Sequence, residues 1–458
     1  MTSPVSFVTY RNDQSYLYPA LQAFEMYGLV LLFYVLVASG VGAAFFFFKV
    51  LCHYYLVQDP RSKKPSFINL GKADECRYII AGDNPFPGTT KNLLTGLQSR
   101  AGPNQGLKRA FGINNAFTSE DSNIVKGFVT LARSKVNLNS TEWESAATLA
   151  ATTLRSLKFL EQASGDTDHH PSTKIVPLAS LVQIVCLTVV LSTILEADMG
   201  KAGYKNILEL AEEVNRIWIL SKSMDEEQQP CYKSEIALQD ALRAIFPDLV
   251  VDDPTRNPLN LILPAFETLW RIVLRTFLDV SFLAGSHSPE FKQILKAFFH
   301  SPTKGNFTHE VRPGISANNI IFEALRLYPP TRRVHRHFQD SRTGESVLYA
   351  ADIEACHRDA AVWGPTALNF LPGRWGHIDQ VQKDSFMPFG SEPFVCPAKP
   401  VFGPRIIALL VGALLCQYTE GWKLRKGPGD GDINTISEGE YLDRDACGEL
   451  YLVNEIRR

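Results

Sequence analysis

The chain contains 458 residues, of which 45% are hydrophobic and 21% are charged, a composition typical of globular proteins with a large buried core. Lysine and arginine number 46 against 48 aspartates and glutamates, so the formal net charge is −2 and there is no basic footprint for nucleic acid. The eight cysteines are scattered without a C-x-x-C pair, which argues against a zinc site and against a small disulfide scaffold.

A charge-free apolar run occupies residues 26–48. A helix of about 20 apolar residues spans the hydrocarbon core of a bilayer. The run therefore predicts a transmembrane anchor, and a buried core helix is the alternative. Basic residues follow the run closely, whereas only Arg11 precedes it. The positive-inside rule then predicts a short lumenal N-terminus at 1–25, a linker at 49–60 and a cytoplasmic domain at 61–458.

Residues 61–115 are rich in Gly, Pro and Asn, which predicts short strands and loops. From about Ser122 onward, apolar residues recur at helical spacing. The predicted helices are 123–135, 141–163, 177–197, 205–224, 234–246, 261–283, 316–327 and 406–418. The helix at 261–283 is apolar nearly all round, so we expect it at the centre of the fold. Residues 345–385 are predicted mainly as loop. The expected architecture is mainly α with a small β-rich part.

Glu323 and Arg326 lie one turn apart on the helix predicted at 316–327, which puts both side chains on one face. Such a pair alone usually indicates a solvated ion pair. Here a Pro329-Pro330 pair and a cationic run follow it. The run comprises Arg332, Arg333, His335, Arg336 and His337.

Three further segments lie between this run and Cys396. They are His357-Arg358-Asp359, Trp363-Gly364-Pro365 and the stretch from Asn369 through Arg374 to Trp375. A Phe389-Gly390 pair then precedes Cys396. Pro397 suits the first position of a helix, whose N–H groups would favour a thiolate at Cys396. An inert buried thiol is the alternative for any lone cysteine.

Together these segments resemble the cytochrome P450 family, especially the microsomal enzymes of filamentous fungi, over residues 315–416 and more weakly over most of the chain. The resemblance implies one cytochrome P450 domain behind the anchor, with haem b bound through the Cys396 thiolate. It also implies that Glu323, Arg326 and Arg374 form a buried ion triad that supports the haem site. Arg336 and Arg133 match positions that contact the haem propionates in the family.

The predicted central helix contains Pro264-Ala265-Phe266-Glu267-Thr268, which resembles the oxygen-activation segment of the same family. The resemblance implies that Glu267 relays protons and that Thr268 hydrogen-bonds dioxygen or a water molecule. A carboxylate in an apolar helix is unfavourable unless it has a partner or a role. A structural acid at a kink near Pro264 is the alternative.

Some positions depart from the family pattern. Glu392 stands where a glycine is usual, so the loop before Cys396 must take another path. Phe394 stands where an arginine or histidine usually contacts a propionate, so that contact must come from elsewhere. Val129 replaces the tryptophan that usually precedes the arginine matched by Arg133. Pro404 predicts a kink or a restart in the final helix.

The resemblance implies a monooxygenase that inserts one oxygen atom of dioxygen into a small apolar organic substrate, consistent with fungal secondary metabolism. Its electrons would come from NADPH through NADPH–cytochrome reductase on the same membrane, with the endoplasmic reticulum as the expected location. Two alternatives stay open. One is a haem-thiolate isomerase, dehydratase or ring-forming enzyme, and the other is a degenerate, non-catalytic haem-binding protein.

Overall fold

A computed structural model describes residues 67–82, 92–160, 162–164, 173–222, 229–283, 288–399, 401–427, 430–433 and 448–455. Ser66–Arg458 forms one compact unit. The anchor predicted at 26–48 and its flanks at 1–25 and 49–60 lie outside the described residues. Across the described ranges, no helix is both long and apolar enough to cross a membrane.

Helices dominate the described part of the chain. In the first half they are α1 (Ala73–Ala81), α2 (Gly96–Ala101), α3 (Gln105–Phe111), α4 (Ser122–Lys135), α5 (Ser140–Ser156), α6 (Leu178–Thr193), α7 (Met199–Ala202), α8 (Tyr204–Leu220) and α9 (Ile236–Ile245). In the second half they are α10 (Leu259–Phe266), α11 (Leu269–Leu278), α12 (Ser288–His300), α13 (Lys304–Thr308), α14 (Ala317–Leu327), α15 (Ile353–Arg358), α16 (Ala360–Trp363), α17 (Gln380–Ser385) and α18 (Phe402–Gln417).

The strands form two small sheets. They are β1 (Phe67–Leu70), β2 (Gln162–Ser164), β3 (Thr173–Pro177), β4 (Arg333–Gln339), β5 (Ser346–Asp352), β6 (Trp422–Arg425) and β7 (Tyr451–Glu455). One sheet has the order β1-β5-β4, with β1 parallel to β5, and the antiparallel second sheet has the order β2-β3-β7-β6. Alternation along β4 turns Arg336 and Phe338 into the protein.

The prediction of strands and loops over 61–115 is correct for β1 and wrong for α1, α2 and α3. Three of the glycines there stand just past helix ends. Gly82 and Gly112 cap α1 and α3 in the left-handed conformation, and Gly102 follows α2 directly. Glycine is favoured just past a helix end because it has no Cβ to oppose positive φ. Because these helices are short and separated by glycine caps, apolar residues recur at helical spacing too few times for the pattern to be recognised.

The core is built around α6, α11, α14 and α18. Most residues of α6 are buried, as are all from Phe402 to Leu415 on α18. α18 packs closely on α12 at Gly412, where a Cβ would lie 2.5 Å from the Leu295 carbonyl oxygen. Pro404 falls in the first turn of α18, where its missing N–H removes no intrahelical bond. α18 begins at Phe402, two residues before this proline, so of the predicted kink or restart the structure shows the start of a helix.

The central helix predicted at 261–283 is divided into α10, α11 and a π-helical turn at Asp279–Leu283. Pro264 explains part of the division, because it has no N–H to donate to the Asn260 carbonyl one turn earlier. Asn115 Nδ2 donates to that oxygen instead, over 3.1 Å. The contact also fastens the loop before α4 to the start of α10.

Candidate functional site

Glu323 is fully buried on α14, and N–H donors surround its carboxylate. Arg326 donates to its two oxygens over 2.8 and 3.0 Å, and Arg374 Nε donates over 2.9 Å. The Trp375 indole N–H and the Leu371 backbone N–H add bonds of 3.1 and 2.9 Å. The structure brings Glu323, Arg326 and Arg374 into one network, in which two guanidinium groups pair with the single buried carboxylate. Such pairing is the condition for burying an ion at tolerable cost.

Arg326 also holds the segment that follows β5. Its Nη1 donates to the carbonyl oxygens of His357 and Ala367 over 2.8 and 2.7 Å, and Nη2 reaches that of Asn369 over 3.3 Å. Its guanidinium lies 5.0 Å from the ring centre of Trp363. The side chain thus ties α14 to residues 357–369.

His357 links Arg326 to the segment that carries Cys396. This histidine had no predicted role in the site. The ring is fully buried, and its Nε2 accepts the Met387 backbone N–H over 2.9 Å. Nδ1 lies 3.2 Å from the Arg326 carbonyl oxygen, so a neutral ring protonated at Nδ1 satisfies both bonds. Burial, reinforced by the Arg326 charge, lowers the pKa of His357 to about 3.

This depressed pKa predicts an acid-sensitive fold. An unfolded His357 takes up a proton below pH 6.5, whereas the folded ring resists protonation down to about pH 3. The free energy of unfolding should therefore fall as pH decreases through this window, with a contribution of about 1.4 kcal/mol per pH unit. His357→Gln should be less stable at neutral pH and lose less stability on acidification, as measured by urea unfolding at several pH values. His309→Gln, at an exposed histidine, is the matched control. Parallel losses in wild type and His357→Gln would contradict the assignment.

The segment from Phe386 to Lys399 is ordered by main-chain hydrogen bonds. The Gly390 N–H donates to the Met387 carbonyl over 3.0 Å, and the Cys396 N–H donates to the Phe389 carbonyl over 2.9 Å. Gly390 has a φ of +72°, a conformation that disfavours a side chain. Glu392 is exposed and is not among the positive-φ residues, so the left-handed residue of this loop is Gly390.

The Cys396 thiol is partly exposed at the end of this loop. Burial among its neighbours raises its pKa, while the Ala398 backbone N–H and the Arg100 guanidinium oppose the rise. The prediction that a helix begins at Pro397 is wrong, because a turn occupies 397–399 and α18 starts at Phe402. The N–H groups near the sulfur therefore come from a turn and not from a helix terminus.

Two buried arginines lie beside the loop, and both contact the Phe394 ring. Arg336 projects from β4, with its guanidinium 5.4 Å from the Phe394 ring centre. Arg100 projects from α2 at 4.7 Å from the same ring. Burial lowers the pKa of Arg336 to about 9 and that of Arg100 to about 10. Within the part of the chain that the structure describes, neither has a carboxylate at ion-pair distance. The sequence reading identified Arg336 and missed Arg100, which lies in the segment predicted as strands and loops.

Arg133 lies apart from this group of residues. It is exposed in the last turn of α4, a helix without a buried residue. Among the described residues, it makes no hydrogen bond or ion pair with the loop or with the two buried arginines.

Glu267 and Thr268 occupy the break between α10 and α11. Glu267 is buried, whereas Thr268 is partly exposed, and its hydroxyl donates to the Pro264 carbonyl over 3.4 Å. Arg271 Nε donates to the Glu267 carbonyl over 3.0 Å and Nη2 to the Pro330 carbonyl over 2.7 Å. The break thus presents an acid and an alcohol side by side, linked through Arg271 to the chain after α14.

Comparisons with known proteins match this arrangement. The sequence model of the Cytochrome P450 family matches residues 317–401, which contain Glu323, Arg326, Arg374 and Cys396. The crystal structure of the haem domain of a cytochrome P450DA mutant superimposes with a TM-score of 0.55 at 15% identity, covering 89% of this chain and 92% of that one. The chain has the cytochrome P450 fold. A 6-coordinated cytochrome P450 from Thermus thermophilus gives a TM-score of 0.50 at 15% identity, with 81% and 90% coverage.

Sequence relatives of this chain come from plants, animals and a virus. Cytochrome P450 714A2 of Arabidopsis thaliana is 35% identical over 109 residues, which cover 22% of this chain and 21% of the relative. Mouse mitochondrial sterol 26-hydroxylase is 28% identical over 167 residues, covering 33% and 30%. A cytochrome P450-like protein, L532, of Acanthamoeba polyphaga mimivirus is 29% identical over 191 residues, covering 39% of each. The chain thus spans between 21% and 39% of these relatives, and the matches support the cytochrome P450 family.

Members of this family hold haem iron through a cysteine thiolate. Cys396 lies inside the matched stretch. Cys416 lies beyond it, exposed in the last turn of α18, with its sulfur 3.6 Å from His300 Nε2. The negative end of the α18 dipole disfavours a thiolate at Cys416. The geometry therefore favours Cys396 over Cys416 as the thiolate.

Proposed function

We propose that this cytochrome P450 is a haem-thiolate monooxygenase that inserts one oxygen atom of dioxygen into a small apolar organic substrate, and that the Cys396 thiolate would hold the haem iron. The observation that carries the proposal is the Cys396 loop. It lies within the stretch matched by the family and is tied through Met387 and His357 to the buried Glu323 network. That linkage gives the sulfur a fixed support, as a residue that would hold a metal requires.

The charges around the loop fit haem b. Haem carries two carboxylates, and the buried guanidinium groups of Arg336 and Arg100 lack carboxylate partners among the described residues. Two adjacent cations in a poorly solvated place are unfavourable unless anions compensate them. When bound, haem supplies the iron that activates dioxygen, and a thiolate ligand favours O–O cleavage. Arg133 stays a third candidate for a propionate contact.

The residues of the α10–α11 break have the chemistry of proton delivery. The Thr268 hydroxyl donates to the Pro264 carbonyl over a long 3.4 Å, so it can exchange that weak bond for one to a small polar molecule. We propose that Thr268 positions dioxygen or water and that Glu267 relays protons to it. The helices before and after the pair, α10 and α11, are rich in apolar residues, which suits an apolar substrate.

The apolar run at 26–48 supports a membrane anchor in the endoplasmic reticulum, with the catalytic domain facing the cytoplasm. Such an anchor would keep the enzyme beside a membrane-bound NADPH–cytochrome reductase that supplies two electrons. It would also favour uptake of substrates from the bilayer. The resemblance to fungal microsomal enzymes supports a role in secondary metabolism.

Two measurements test the proposed function on the full chain in detergent or membranes. A carbon monoxide difference spectrum of the reduced protein should show the Soret shift typical of thiolate ligation. Folded protein without that shift would overturn the haem-thiolate assignment. Substrate oxidation that depends on NADPH, reductase and dioxygen then distinguishes a monooxygenase from an isomerase or dehydratase, which consumes no dioxygen. A haem-binding protein without catalysis would show the shift and no turnover.

Thr268→Ala should uncouple oxygen consumption from product. Without the hydroxyl, the product formed per NADPH should fall by at least roughly 10-fold while NADPH oxidation continues, because proton delivery loses its positioned donor. Product and NADPH are measured in the same reaction. Thr276→Ala is the matched control, since the Thr276 hydroxyl on α11 also donates to the carbonyl one turn earlier, over 2.6 Å. Equal coupling in both variants would contradict the role of Thr268.

A further inference from the structure

Helix α2 packs between β4 and the segment from Phe386 to Lys399 that carries Cys396, called here the cysteine loop. Thr95 caps its start by accepting the Gln98 backbone N–H, and the Ser99 hydroxyl donates to the His337 carbonyl over 2.6 Å. On the other side, a Cβ on Gly96 would lie 3.5 Å from the Phe394 ring. This packing gives Arg100, in the last turn of α2, a defined position against the loop.

The Arg100 guanidinium is held between two aromatic rings, 4.6 Å from the centre of Phe117 and 4.7 Å from that of Phe394. Cation–π contacts of this kind stabilise a buried cation without neutralising it. Arg336 contacts the same Phe394 ring and, among the described residues, donates to the carbonyl oxygens of Ile80 and His335. Two buried positive charges therefore adjoin one aromatic ring, and the Arg100 charge acts on the Cys396 sulfur.

Phe394 is the position at which the cysteine loop lacks the expected cation. We propose that Arg100 supplies that cation from α2, and that Arg100 and Arg336 together bind the carboxylates of haem. Both guanidinium groups lie near the Phe394 ring, at 4.7 Å for Arg100 and 5.4 Å for Arg336. The inference rests on the proposed function, because it requires a haem bound at Cys396.

A packing role for Arg100 is the competing explanation, and two substitutions separate it from the proposed role. Arg100→Met keeps an unbranched side chain that can fill the space between the rings but removes the charge. Phe394→Arg, introduced into the Arg100→Met variant, returns a guanidinium to the loop itself. Arg155→Ala, at an exposed arginine on α5, controls for loss of a positive charge.

The experiment measures the rate at which purified holoprotein transfers haem to excess apomyoglobin, together with the urea midpoint of each variant after haem removal. Arg100→Met should lose haem on the order of 10- to 100-fold faster than wild type, as expected for a lost charged hydrogen bond. Its haem-free midpoint should change little. Adding Phe394→Arg should restore most of the retention, and Arg155→Ala should behave as wild type.

Unchanged haem release from Arg100→Met would overturn the inference and leave the proposed function intact. Faster release that Phe394→Arg does not reverse would also overturn it and would assign Arg100 to packing. A wild-type chain that binds no haem would instead refute the proposed function, and the inference with it.

Discussion

Cys396→Ser is expected to abolish the thiolate-type Soret shift of the reduced carbon monoxide complex and all oxygenase activity. A serine hydroxyl has the wrong donor atom and stays protonated at neutral pH, so it cannot give the electron donation that a thiolate gives to iron. The fold should persist, because the loop is held by the bonds of Gly390 and Cys396 main-chain N–H groups and not by the sulfur. Difference spectra and circular dichroism on the same preparation measure both results.

Cys416→Ser provides the matched control, since it makes the same chemical change on the exposed end of α18. Its spectrum and activity should equal those of wild type. A thiolate-type spectrum retained in Cys396→Ser and lost in Cys416→Ser would reverse the assignment of the ligand.

Glu323→Gln is expected to cost about 3–5 kcal/mol in the free energy of unfolding, because it leaves Arg326 and Arg374 buried without a compensating anion. That loss is a large fraction of the roughly 5–15 kcal/mol that stabilises a typical protein. It should lower the urea midpoint sharply and reduce the yield of haem-containing protein. Denaturant unfolding of the apoprotein, followed by fluorescence, separates the loss of folding from the loss of haem.

The chain contains its own control for this substitution. Glu213 and Arg216 on α8 repeat the E-x-x-R spacing, with a 2.7 Å ion pair between side chains that are 22% and 43% exposed. Since solvent-exposed pairs contribute little, Glu213→Gln should cost less than about 1 kcal/mol. Similar losses at both sites would mean that burial does not determine how much the Glu323 network contributes to the free energy of unfolding.

Periodicity predicted the longer helices well and the short ones poorly. α4 and α14 lie within one residue of their predicted bounds, because each carries apolar residues at helical spacing behind an N-cap side chain, Asp121 or Ser316. α5 ends earlier than predicted and is followed by a 3-10 turn at Leu157–Leu160. Asn115 donates to the Asn260 carbonyl in place of the N–H that Pro264 lacks, a tertiary contact that no local pattern contains.

The residues of the candidate site likewise fall into those that the sequence predicted and those that it did not. Glu323 and Arg326 share one helix face, so their pairing could be proposed from spacing, and Arg374 came from the family resemblance. His357 and Arg100 were missed because their roles depend on partners far along the chain. Met387 gives His357 its role, and Phe394 gives Arg100 its place beside the loop. The charge of a side chain follows from its residue type, but the group that it contacts depends on the fold.

The main-chain bonding of the cysteine loop has a consequence for how this protein can change over generations. A turn that is held by main-chain hydrogen bonds tolerates replacement of its side chains, because its geometry depends little on those side chains. Glu392 and Phe394 occupy positions of this kind, whereas Gly390, with its positive φ, does not. Unusual residues could therefore accumulate at 392 and 394 without displacing the sulfur, provided that another element restored the lost charge.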